Sequence, residues 1–118
     1  MSQNEVEQIE ITIAEARKIV EKGRLAQKLA ANPTFKKIVM DGYFVEEASR
    51  LTMLYSEPTL PDNIRAAVER DLNGPGAFKR YLSTLVRMGE QAEQEIRDGE
   101  QTLEEIREEE FVSSDTEE

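Results

Sequence analysis

Glu104-Glu105-Ile106-Arg107-Glu108-Glu109-Glu110 is the densest run of reactive side chains in the sequence. On a helix, Glu104 stands one turn from Glu108, and Glu105 one turn from Glu109. Carboxylates at that spacing suggest two chemistries: oxygen ligation of a hard cation, or imitation of nucleic-acid phosphates. A cation site needs ligands from several directions, and no loop is available here to close the shell. Carboxylate-bridged di-iron bundles also need histidine, and the chain has none. The run therefore reads as a solvated acidic face, and no metal is expected. A nucleic-acid mimic would spread its carboxylates over a folded surface. Concentration on one terminal arm fits electrostatic docking better.

Catalytic chemistry has little to work with elsewhere. Histidine and cysteine are both absent, which removes the usual proton shuttle near neutral pH and the thiolate nucleophile. Gly74-Pro75-Gly76 is too short to cradle phosphate, and no P-loop or dinucleotide fingerprint follows it. The expectation is a protein that is not an enzyme, with no catalytic residues and no cofactor.

Charge is distributed very unevenly. The chain has 118 residues and a net charge of −10. Glu90 to Glu118 carry 13 acids against Arg97 and Arg107, whereas residues 1–89 are nearly balanced. In the other direction, Arg17 to Lys37 hold seven bases (Arg17, Lys18, Lys22, Arg24, Lys28, Lys36, Lys37) and one acid, Glu21. With 38% apolar and 34% charged residues, the composition is thin for a self-sufficient globule. It suits long helices that finish their burial against other subunits. No apolar run approaches the ~20 residues of a membrane span, and no signal-peptide pattern opens the chain. No membrane and no direct nucleic-acid contact are expected.

The elements that must position these charges read as all-α. Val6, Ile9, Ile13, Ala16 and Val20 alternate by three and four, predicting a long coiled-coil-like helix over 5–31. Gly23 and Gln27 interrupt that stripe, while Leu25 and Leu29 carry it round the helix. Asn32-Pro33 marks a boundary, with Asn32 as a cap for a new helix. Short helices fill 33–72: one to Met40, closed by Asp41-Gly42; one from Tyr43 to Tyr55; and one from Asp62 to Leu72 after a loop holding Pro58 and Pro61. Asn73-Gly74-Pro75-Gly76 is the strongest breaker. Phe78, Leu85, Ala92, Gly99 and Ile106 then share one heptad position, and Leu82, Gly89, Ile96, Leu103 and Glu110 another, predicting a second long helix over 77–110. Residues 111–118 form a disordered acidic tail. The whole is one helical domain, 1–110, with Phe35, Phe44, Leu51, Leu82 and Leu85 in its core. Met40, Met53 and Met88 fill gaps or interfaces.

An antiparallel hairpin of the two long helices is the simplest arrangement, but it places Glu5, Glu7, Glu10 and Glu15 near Glu104 to Glu110. The charges instead favour an arm that leaves its own subunit. Glu104, Glu105, Glu108 and Glu109 would then meet a basic stretch such as Arg17, Lys18 and Lys22 of a neighbouring copy, or another protein. Solvated repulsion at a frayed end is the alternative. A homo-oligomer is expected.

The central block carries a resemblance. Asn32-Pro33-Thr34-Phe35-Lys36, Gly42-Tyr43-Phe44 with Glu47-Ala48 and Arg50-Leu51, and Met88-Gly89 with Ala92-Glu93 before an acidic end resemble small acidic helical proteins encoded by tailed bacteriophages. The resemblance spans about residues 5–110 and implies a structural or assembly role in the virion. Its partners would be capsid, portal or other virion proteins, and its location the virion or the host cytoplasm. The rival expectation is a phage regulatory inhibitor, acting as a nucleic-acid mimic or as a binder of a host enzyme.

Overall fold

The computed structural model describes residues 3–116, and those residues are helical apart from Asn32 and the turn around residues 56–61. The fold is all-α, with two long terminal helices flanking short ones, as the apolar periodicity predicts. Helix α1 spans Gln3–Ala31, α2 Pro33–Phe35, a π-helix Lys36–Glu47, α3 Ala48–Tyr55 and α4 Asp62–Thr116. The chain divides into two compact units, one formed by Met1–Arg24 with Val86–Glu118 and the other by Leu25–Leu85.

In the first unit, α1 and α4 pair antiparallel. Gly23 lies against Gly89, and Ile13 against Gly99, so numbers rise on one helix as they fall on the other. Ala16, Val20 and Ala92 form the buried core, with Ile19 and Ile96 packed on it; Ile13 and Ile106 are buried as well. Apart from Ile19, these are the heptad positions of both helices. The sequence misleads at one place. Gly23 does not interrupt the stripe: it is buried, and a Cβ on Gly89 would come within 3.2 Å of its Cα. Ala26 continues the stripe, while Leu25 and Leu29 are 58% and 42% exposed. Two facing glycines let the backbones approach until contact itself replaces side-chain burial.

The second unit departs further from the predicted boundaries. Asp41-Gly42 ends no helix. The chain runs on through a π-helix, and Gly42 makes room for it, since a Cβ there would sit 3.2 Å from the Lys37 carbonyl oxygen. Such i→i+5 winding is usually confined to a single turn. Asn73 to Gly76 does not break the chain either: α4 passes straight through with a buried Pro75, and no glycine takes a positive φ. Pro75 forfeits one helical hydrogen bond, at a cost of ~3 kcal/mol. Packing offsets that cost. The Tyr43 hydroxyl occupies the space a Gly74 side chain would fill. Phe78, one turn on, stacks on Phe35 at 6.4 Å and on Phe44 at 5.5 Å.

Of the expected core residues, Leu51 is buried, while Phe35, Phe44, Leu82 and Leu85 are half-buried. Asn32 caps as expected, its Oδ1 accepting from the Phe35 N–H at 3.0 Å. Arg65 secures the turn: its guanidinium donates to the carbonyls of Tyr55 and, at 2.8 Å, Glu57, and lies 5.3 Å from the centre of the Tyr55 ring.

The predicted tail is a further correction, because α4 remains helical to Thr116. Extending an existing helix needs no new nucleus, and Ile106 anchors the preceding turns. Residues 117 and 118 lie outside the described residues.

The glycines make opposite predictions. Gly76 has nothing within 4 Å of an added Cβ, so Gly76→Ala should stabilise the chain by about 1 kcal/mol through helix propensity. Gly89→Ala gains the same propensity but must push the Gly23 backbone away, and its melting temperature should fall. Thermal unfolding followed by circular dichroism decides; a rise for both variants would contradict the close crossing.

Candidate functional site

The antiparallel register fixes where the charged side chains of the first unit go. Arg17 reaches Glu100 at 3.3 Å and Arg24 reaches Glu93 at 3.4 Å, ion pairs that join α1 to α4. Both are largely exposed, so each contributes only about 0.2–1 kcal/mol and selects register rather than holding the helices together. Lys18 pairs locally with Glu15, and Lys22 is exposed with no ion pair among the described residues.

The expectation that the acidic arm leaves its own subunit needs correcting. The arm packs on α1 through Ala92, Ile96, Gly99 and Ile106, and two of the bases assigned to a neighbour's arm receive acids of their own chain. Burial of the apolar stripe outweighs repulsion among solvated carboxylates, which is worth only tenths of a kcal/mol per contact.

Beyond Gly99 the same register brings like charges together. Glu5, Glu7 and Glu10 run alongside the segment that carries Glu104 to Glu110. Glu104 accepts from Arg107 at 3.2 Å, one turn away on its own helix, and Glu105 accepts from Gln101 at 3.3 Å. Glu105, Glu108 and Glu109 border a shallow open depression with Val112 and Ser113. Next to it, Phe111 is 71% exposed. Among the described residues, no three His, Cys, Asp or Glu side chains are placed to hold a metal ion. This end of the unit is an acidic surface with an apolar fringe. Among the described residues, no helix is long and apolar enough to cross a membrane.

No family model matches the chain, and neither a curated protein nor a solved structure matches it. Its interaction surfaces therefore have to be read from the residues alone.

The second unit brings together two aromatic residues that are far apart in the sequence. Lys36 and Lys37 follow Phe35, Lys79 and Arg80 follow Phe78, and the two rings lie 6.4 Å apart. All four are exposed. The only hint in the sequence is that a base follows each aromatic, and nothing there says that residues 35 and 78 meet. On the same unit, Arg50 binds Glu47 through both carboxylate oxygens, with Asp71 adding to the field at Arg50.

The hydrogen bonds from Arg50 hold the Glu47 carboxyl below the ordinary range. A depressed folded-state value means that the stabilisation is present above the ordinary carboxylate range and is lost as pH falls through the folded-state value. In an NMR titration, Arg50→Gln should return Glu47 to ordinary behaviour; an unchanged Glu47 curve would show that the pair does not form in solution.

Proposed function

We propose that this chain is a non-enzymatic structural or assembly protein of a tailed-phage virion. It binds capsid, portal or other virion proteins through the apolar side chains its helices leave uncovered, with the acidic end of α4 setting orientation. One observation carries the binding role. Among the described residues, eight apolar ones are buried, whereas 14 large apolar ones are exposed, among them Ile38, Val45, Met53 and Tyr81. Large uncovered apolar side chains form partner surfaces where they lie together in one patch. The chemistry is burial with charge steering, since charge selects the partner and speeds encounter more than it adds affinity. The virion as the setting rests on the resemblance of the central block.

The regulatory-inhibitor reading has its own support. The acidic run stays helical through Glu110, which holds its carboxylates at the fixed spacing a phosphate mimic requires. Location separates the two. Mass spectrometry of purified particles produced by the genome encoding this chain should find it in stoichiometric copies. A chain absent from particles but recovered on a nucleic-acid-binding protein of the host would overturn the virion role.

A further inference from the structure

The π-helix of the second unit is wound in a way that its own sequence does not favour. Such i→i+5 winding usually stops after one turn and recurs at functional sites, yet here it covers the 12 residues Lys36–Glu47. Each wider turn holds about one residue more than an α-turn, so the segment stores about two surplus residues. Asp41-Gly42 stands at its middle. By local rules that pair ends a helix, with glycine in the left-handed position past the cap. Gly42 does not take that position, and a Cβ on it would sit 3.2 Å from the Lys37 carbonyl oxygen. Local preference and tertiary packing disagree at this point.

The packing that imposes the winding is aromatic. Phe35 and Phe44 both reach the Phe78 ring, at 6.4 and 5.5 Å. In one unbroken α-helix these two residues would be about two and a half turns apart and would point to opposite sides. Wider winding returns Phe44 to the side of Phe35. A turn at Asp41-Gly42 would return it equally well, by gathering the surplus residues in one place. The π-winding also has a cost at the surface. Phe35, Ile38 and Val39 share one face at α-spacing, but here Ile38 is 64% exposed while Phe35 and Val39 are half-buried.

We propose that residues 36–47 form a two-state element that stores its surplus residues in either of these ways. In the first state the surplus is spread through the π-helix and Ile38 faces outward. In the second it is collected in a turn at Asp41-Gly42, with Gly42 left-handed and α-helix on both sides. Ile38 then joins Phe35 and Val39 on the packed face, and Phe44 lies in line with Ala48 and Leu51 at α-spacing. The second state holds about 1–10% of the free chain, as a minor conformer does. A partner that grips Ile38 selects the first state, because a ligand shifts such an equilibrium only through its differential affinity. The switch lies within the second unit and does not rest on the virion reading.

Relaxation-dispersion NMR on the full chain tests it, on the microsecond-to-millisecond scale where helix register shifts fall. Amides of residues 36–47 should share one exchange rate, and the minor-state shifts of Gly42 should be those of a left-handed residue. Flat dispersion throughout the segment would overturn the proposal. Two substitutions separate the turn from crowding. Gly42→Ala and Gly42→Asn add the same Cβ beside the Lys37 carbonyl, but only asparagine enters the left-handed region readily. The minor population should be about fivefold smaller in the alanine variant than in the asparagine variant. Equal populations in the two would overturn the proposal as well. If both variants lose helicity by circular dichroism, dispersion of the parent chain decides alone, with the Ile38 methyl groups as a second probe.

Discussion

Contact between Gly23 and Gly89 sets the register on which the first unit depends. Two backbones without Cβ atoms come within van der Waals reach, and that crossing fixes the partner of every later residue on both helices. Ala16 and Ala92 continue the close approach, and larger residues such as Ile13, Ile96 and Ile106 fill the space farther along. Dispersion between closely apposed backbones gains many small contacts at little cost in side-chain entropy. That suits a unit with too few large apolar residues for an ordinary core.

The same register dictates the electrostatics. It brings Arg17 and Arg24 opposite Glu100 and Glu93, and it also forces the acidic first turns of α1 beside the acidic last turns of α4. Favourable pairs and like-charge contact are two consequences of one alignment, and neither is strong enough to change it. Solvent screens exposed charges to fractions of a kcal/mol, whereas each buried aliphatic side chain contributes about 1.5–3 kcal/mol. Apolar packing chooses the alignment, and the charges follow it.

In the second unit, aromatic contact plays the part that glycine contact plays in the first. Phe78 against Phe35 and Phe44, with Tyr43 filling the space beside Gly74, holds a helix across a proline that would break an isolated peptide. The π-helical winding of Lys36–Glu47 belongs to the same compromise. Gly42 lets the chain continue where an Asp-Gly pair otherwise marks a helix end.

Much of this was legible in the sequence. Heptad spacing from Val6 to Val20 and from Leu82 to Ile106 encodes the two long helices and the faces they bury, because a 3.6-residue period maps directly onto one side of a helix. The Asn32-Pro33 boundary, the turn near Pro58 and Pro61, and the burial of Leu51 follow from equally local rules. The continuity of α4 through Pro75 and the role of Gly23 were decided by tertiary structure. Each depends on what stands opposite: Tyr43 at Gly74, Phe35 and Phe44 at Phe78, Gly89 at Gly23. Breakers and glycines state only a local preference, worth about 1–3 kcal/mol, and packing of that magnitude or more can reverse it. The sequence by itself determined that the chain is helical and which stripes are apolar. Which stripes meet, and hence which charges are left facing outward together, emerges only when the helices touch.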